Sequence, residues 1–162
     1  MASQIITLKG RGPDLDIGAG TGLLGIEIQK LNKLEIHATD ISAEMLLVAE
    51  KKGIYSKIIV GNLIKGLPIK DNSYNGIVSS GTFTHGHVGP DVLFEIKRIL
   101  SKGGIAVLSV NSKHWHRLEF DATLPALEAS GSKTNVIEVN IYGHKCKSDS
   151  KNDTAYLLIL SD

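Results

Sequence analysis

The feature that most restricts the fold is the junction Asp14-Leu15-Asp16-Ile17-Gly18-Ala19-Gly20-Thr21-Gly22. A short apolar and acidic strand runs straight into alternating glycines, after which Leu24, Ile28 and Leu31 recur at helical spacing. Glycine tolerates the backbone of a tight turn and lets a ligand approach bare peptide. The helix beyond offers unpaired N–H groups and the positive end of its dipole, suited to a carboxylate or phosphate. Strand, glycine turn and helix in that order open an α/β unit.

The pattern then repeats. Glu35 to Thr39 reads as a strand, and Ser42 as the N-cap of a helix through Lys52 that Gly53 ends, with Met45, Val48 and Ala49 as its apolar face. β-Branched Ile58, Ile59 and Val60 favour a strand over Ser56 to Val60. Gly66, Pro68 and an Asp71-Asn72-Ser73 turn interrupt the stretch from Asn62 to Asn75. Gly76 to Ser80 reads as a buried strand. Pro90 suits the first position of a helix to Leu100, with Leu93, Ile96 and Leu100 inward. Lys102-Gly103-Gly104 breaks it, and Ile105 to Val110 is the fifth strand.

The last third changes character. Thr123 to Ala129 reads as a short helix with Pro125 in its first turn. Val136 to Tyr142 and Thr154 to Leu160 read as strands joined by the polar stretch Lys145 to Asp153. That connection is too short for a parallel crossover and predicts an antiparallel hairpin. The expectation is a single domain over 1–162, an α/β sandwich around a mostly parallel sheet.

Charge and cysteine usage narrow the function classes. Lys and Arg total 18 against 17 for Asp and Glu, a formal charge of +1. This predicts no strong field for nucleic acid or an anionic membrane. Cys146 is the only cysteine in the sequence, which excludes an intrachain disulfide and a Cys-rich zinc site. His144-Lys145-Cys146 reads as a surface turn and not a metal site. The apolar runs are too short to span a bilayer, and Met1-Ala2-Ser3-Gln4 does not begin a secretory signal. The reading is a soluble, cytoplasmic domain.

Asp40 closes the second strand 20 positions after Gly20, where a carboxylate can accept both hydroxyls of a ribose. Two glycine registers compete for the nucleotide. Gly20-Thr21-Gly22-Leu23-Leu24-Gly25 matches the dinucleotide pattern, but its first glycine falls late after the strand. The register from Gly18 fits the strand end and carries Asp16 just ahead of the turn, where a carboxylate can meet an ammonium. A ligand with a ribose, a carboxylate and an ammonium is S-adenosylmethionine.

The glycine loop, the acidic strand end, Leu67-Pro68-Ile69-Lys70-Asp71-Asn72-Ser73-Tyr74 and Leu100-Ser101-Lys102-Gly103-Gly104, in that order, resemble class I S-adenosylmethionine-dependent methyltransferases. Gly81 to Pro90 is similar to the methyltransferase-like group named after the Williams–Beuren syndrome chromosome region. The resemblance implies a Rossmann-like three-layer sandwich, with a seven-stranded sheet whose last strand is antiparallel. It implies S-adenosyl-L-methionine as cofactor. Asp16, Gly18, Ala19, Gly20 and Gly22 would line its methionine and ribose portion. Asp40 would hold the ribose hydroxyls and Ile41 would pack on the adenine face. Asn62 and Leu63 would sit at the adenine edge, and Ser80 beside the methyl group. Asn62 stands where the family usually has Asp, and Asn75 likewise replaces a frequent Asp. Family members usually carry helices ahead of the first strand that cover the cofactor. Here barely a dozen residues precede Asp14, so the expectation is that the chain is a fragment, that a partner chain or a second copy covers the site, or that the site is unusually open.

The acceptor side follows the fourth strand. His85 and His87 are the candidate general bases, because imidazole titrates near neutral pH. Thr82 and Thr84 add hydroxyls, and Phe83 is either a pocket wall or core. Lys113-His114-Trp115-His116-Arg117 reads as a solvated loop with Trp115 buried. Val78-Ser79-Ser80-Gly81 lacks the Pro-Pro-Tyr/Phe motif of enzymes that methylate amide or base nitrogens. The function read from these residues is methyl transfer to an O, N or S atom of a small-molecule acceptor. The alternatives are a catalytically weak protein of the same fold acting as an interaction module, and an NAD-dependent oxidoreductase.

Overall fold

In the computed structural model, described for residues 13–31, 33–84, 86, 88–141 and 154–162, the alternating pattern closes into one seven-stranded sheet. Its strands are β1 (Asp14–Ile17), β2 (Ile36–Asp40), β3 (Lys57–Val60), β4 (Tyr74–Phe83), β5 (Leu100–Asn111), β6 (Lys133–Asn140) and β7 (Thr154–Ser161). The helices are α1 (Leu23–Leu31), α2 (Ala43–Glu50), α3 (Val92–Ile99), α4 (Ser112–Arg117) and α5 (Phe120–Ala129), with a 3-10 turn at Leu63–Lys65. The sheet order is β3-β2-β1-β4-β5-β7-β6. β1 to β5 pair in parallel, and β7 runs antiparallel to both β5 and β6. The last strand alone opposes the other six, in a Rossmann-like three-layer sandwich.

Side-chain alternation along β1 divides the interior in two. Leu15 and Ile17 face a core shared with Ile77, Leu108 and the Leu93 and Ile96 of α3. On the opposite face, Ile36, Ala38 and Val78 pack with Ile28 of α1 and Leu46 and Ala49 of α2. Each such Leu or Ile, fully buried, is worth about 1.5–3 kcal/mol relative to exposure. Asp14 and Asp16 lie on this second face, both buried. They are the feature of β1 that core packing does not explain.

Several boundaries differ from the sequence reading. Ser42 does cap α2, accepting from the Met45 N–H at 3.2 Å. The inward residues are however Leu46 and Ala49, while Met45 and Val48 are exposed. β5 starts at Leu100 and runs through Gly103-Gly104. A Cβ on Gly104 would lie 2.8 Å from the Ser101 carbonyl and 2.9 Å from that of Asn75, so this glycine admits close backbone passage and does not end an element.

Lys113 to Arg117 is not a loop. It lies within α4, capped by Asn111, whose Oδ1 accepts from the N–H groups of Lys113 and His114. Trp115 is buried and stacks on Phe120, with Phe83 meeting the same ring edge-on. That anchor starts α5 at Phe120, upstream of Thr123, and leaves Pro125 inside the helix instead of in its first turn.

Candidate functional site

The sheet order reverses between β1 and β4, which opens a crevice at the carboxyl ends of the strands. A cavity of about 720 Å³ lies there. Of the residues that the resemblance assigns to the cofactor, Asp16, Gly18, Ala19, Gly20, Asp40, Ile41, Asn62, Leu63 and Ser80 all line it. Gly22 does not. A Cβ on Gly22 would meet Tyr55, Ala49 and Ile54 at 3.1–3.3 Å, so it faces the packing behind the loop.

The loop is shaped by its own glycines and by groups arriving from other strands. Gly18, Gly20 and Gly22 all have positive φ, at 68°, 53° and 86°. The Gly18 and Ala19 N–H groups both donate to the Thr39 carbonyl. A Cβ on Gly18 would lie 1.9 Å from Thr82 Oγ1. Thr82 reaches this point because β4 bulges: between the pairs Ser79–Leu108 and Phe83–Val110, the three residues Ser80, Gly81 and Thr82 stand opposite the single Ser109 of β5. The bulge turns the Thr82 hydroxyl toward the Ile17 carbonyl at 3.0 Å and leaves Ser80 exposed at the cavity.

Asp40 is held at both oxygens. Its Oδ2 accepts from the Gly20 N–H and its Oδ1 from the Ser42 N–H, each at 2.9 Å. A carboxylate has about four acceptor sites, so lone pairs remain on both oxygens for a ligand's hydroxyls. Ile41 beside it is exposed. Asn62 caps the 3-10 turn, its Oδ1 accepting from the Ile64 N–H at 2.9 Å.

Asp16 is 1% exposed. Its Oδ2 accepts from the Tyr55 hydroxyl at 2.6 Å, and its Oδ1 is buried with no hydrogen-bond partner. Burial pushes its carboxyl up to about 7, the Tyr55 hydrogen bond opposes that, and the nearby Asp40 charge adds to it. A buried, unpaired carboxylate oxygen costs free energy until a donor reaches it. Nothing in the sequence reading singled out Tyr55; it stands 39 positions from Asp16, and only the β1–β2–β3 stacking joins them.

A family model described as a methyltransferase domain matches residues 15–108, more than half of the chain. The chain belongs to the methyltransferase domain family. Human methyltransferase-like protein 27 is 27% identical over 121 residues, covering 72% of this chain and 49% of that protein. The malonyl-[acyl-carrier protein] O-methyltransferase of Marinomonas sp. is 27% identical over 165 residues, covering 89% of this chain and 60% of its own. The chain thus spans about half the length of the first and 60% of the second. Among solved structures, an S-adenosylmethionine-dependent methyltransferase from Mesorhizobium loti superposes with a TM-score of 0.69 at 16% identity. That match covers 100% of this chain and 98% of the other, and it shows the shared fold.

Membership implies S-adenosylmethionine as the domain's cofactor, and the cavity's donors and acceptors fit it. The orphaned Asp16 oxygen suits an ammonium, Asp40 suits ribose hydroxyls, and the glycine loop leaves backbone exposed to the chain between them. Gly25, the third glycine of the competing dinucleotide register, has another use. A Cβ there would lie 2.4 Å from the Tyr55 hydroxyl oxygen, so its bare backbone makes room for that ring.

His85 and His87, the candidate bases, lie outside the described residues, as do His144, Lys145 and Cys146. The backbone around position 87 is described on both sides. His114 Nε2 donates to the Val88 carbonyl at 2.8 Å, and Arg117 Nη2 donates to His114 Nδ1 and to the Gly86 carbonyl, each at 3.1 Å. α4 therefore clasps the segment that follows β4. Among the described residues no helix is long and apolar enough to cross a membrane.

Proposed function

We propose that this chain is a methyltransferase acting from S-adenosylmethionine on an O, N or S atom of a small-molecule acceptor, with 1–162 as one methyltransferase domain. One observation carries the reading. The glycine loop, Asp40, Asn62 and Ser80, far apart in sequence, line a single cavity beside the unpartnered oxygen of Asp16. The near-neutral formal charge of +1 supports a small acceptor over nucleic acid. The Gly81 to Pro90 segment supports placing the chain near the Williams–Beuren group within the family.

When bound, S-adenosylmethionine supplies a methyl group activated as a sulfonium. The chain's own work is to hold and orient the reactants and to exclude water. Asp16 would hold the amino-acid end, Asp40 the ribose, and exposed Ile41 with Leu63 would offer apolar surface to the adenine. Ser80, exposed at the cavity, would lie beside the methyl group. His85 or His87 takes the proton of an acceptor that arrives protonated.

The test is calorimetric titration of the folded chain with S-adenosylhomocysteine, then with NAD. Saturable binding of the first alone supports the reading and justifies an acceptor screen with labelled methyl donor. Binding of NAD alone overturns it.

A further inference from the structure

The free Oδ1 of Asp16 explains what the cavity holds, and the Oδ2 bound by Tyr55 explains how it is kept ready. We propose that Tyr55 is the positioning residue of the cofactor's ammonium site, its phenol fixing Asp16 Oδ2 so that Oδ1 stays free for the ligand. This rests on the reading that Asp16 meets the amino-acid end of S-adenosylmethionine.

The geometry behind it is specific. Tyr55 precedes β3, and its ring enters a slot that two glycines leave open. A Cβ on Gly25 would stand 2.4 Å from the hydroxyl oxygen and 2.6 Å from Cζ, and one on Gly22 would stand 3.1 Å from Cε2. The slot delivers the hydroxyl to Asp16 Oδ2 at 2.6 Å. Burial and the adjacent Asp16 push the phenol up, so it stays a donor across the working range. Without it both carboxylate oxygens would be buried and unpaired, and the neutral acid would be favoured. A protonated Asp16 carries no charge for an ammonium.

Among the described residues, the groups that face Asp16 include no cation to compete for this role. Across the sheet it pairs with Ala38 on β2 and Val78 on β4, both apolar. Asp40, at the end of β2, adds negative charge, α1 presents Gly25, and Glu27 of α1 lines the same cavity. Asp14 lies two residues back on the same face of β1. Binding of an ammonium at Asp16 is thereby coupled to ionisation of that carboxyl, and Tyr55 sets where the coupling falls.

The experiment titrates S-adenosylhomocysteine and 5′-methylthioadenosine into the wild-type chain and Tyr55→Phe between about pH 5.5 and 8.5, a range spanning the Asp16 ionisation. Methylthioadenosine keeps the nucleoside and lacks the amino-acid end. Wild-type affinity for S-adenosylhomocysteine is expected to rise with pH, and that for methylthioadenosine to stay flat. Tyr55→Phe keeps the ring in its slot and removes one hydrogen bond. It is expected to move the midpoint up by about one pH unit and to weaken S-adenosylhomocysteine roughly fivefold near neutrality and roughly tenfold at the acid end, leaving methylthioadenosine within about twofold. Asp16→Asn, a second variant, should flatten the profile, and Tyr55→Phe added to it should change nothing further. Equal weakening of both ligands by Tyr55→Phe, or no change in either, overturns the assignment while the cofactor site stands. A folded wild-type chain that binds methylthioadenosine and S-adenosylhomocysteine equally at every pH overturns the reading of Asp16 itself.

Discussion

The Gly20 N–H donates to Asp40 Oδ2 at 2.9 Å, tying the glycine loop of β1 to the carboxyl end of β2. The same carboxylate takes the Ser42 N–H on its other oxygen, so it positions the loop and the N-cap of α2 together. Asp40→Asn places an amide N–H₂ against one of these backbone donors. The substitution is expected to weaken S-adenosylhomocysteine by about 1.5–3 kcal/mol, the range for a hydrogen bond to a charged group, and to lower thermal stability as well. Calorimetry and a melting curve read both effects; unchanged affinity removes the ribose assignment.

Gly18 has no room for a methyl group. Its φ is 68°, and an added Cβ would lie 1.9 Å from Thr82 Oγ1 and 3.0 Å from Thr82 Cβ. Gly18→Ala is expected to destabilise the chain by about 2–4 kcal/mol, combining left-handed backbone cost with overpacking. Thr82→Ala in the same chain removes the hydroxyl contact and should recover only part, since the backbone cost and the tight Cβ remain. Urea unfolding of the two single variants and the double variant measures the coupling. Full recovery would show that the strain is steric alone.

How much of this was legible beforehand follows from the range of each interaction. The glycine loop, Asp40 and the Ser42 cap were readable because turns, strand ends and caps are written in neighbouring residues. The Tyr55–Asp16 bond was not, since it depends on three strands stacking in order. The bulge that brings Thr82 to Gly18 leaves no local mark beyond Gly81, whose φ is 88°. α4 was missed because six residues rich in Lys, His and Arg show no apolar period; burial of Trp115 and His114 against α5 and the Val88 segment makes it a helix. Tertiary packing overrode local propensity there.

Arg117 holds the segment that carries the candidate bases. It donates to the Gly86 carbonyl and to His114 Nδ1, and His114 in turn donates to the Val88 carbonyl. Arg117→Met keeps much of the side-chain stem and removes both donors. Hydrogen exchange of the amides from Gly86 to Gly89 is expected to speed up roughly tenfold or more, the loss of a charge-assisted bond of about 1.5–3 kcal/mol. Amides of β1 should keep their protection. Unaltered exchange near Val88 would show that the clasp carries no local stability.

Asp14 is 3% exposed, and its Oδ1 is buried without a partner opposite Gly76, where an added Cβ would stand 2.2 Å away. Burial pushes its carboxyl up from 3.8 to about 6. Between these values the folded chain binds more protons than the unfolded one, so the group's contribution is fully present below pH 3.8 and is lost as pH rises through about 6. Asp14→Asn removes the ionisation and keeps the volume. It is expected to raise stability by about 1–2 kcal/mol at pH 8 and to change it little at pH 4, a gain below the full shift because the new amide also buries an N–H₂ that needs a partner. Urea midpoints at the two pH values decide it. A gain of equal size at both would mean that shape, and not charge, sets the cost of this aspartate. No gain at pH 8 would mean that the buried oxygen finds a partner in solution.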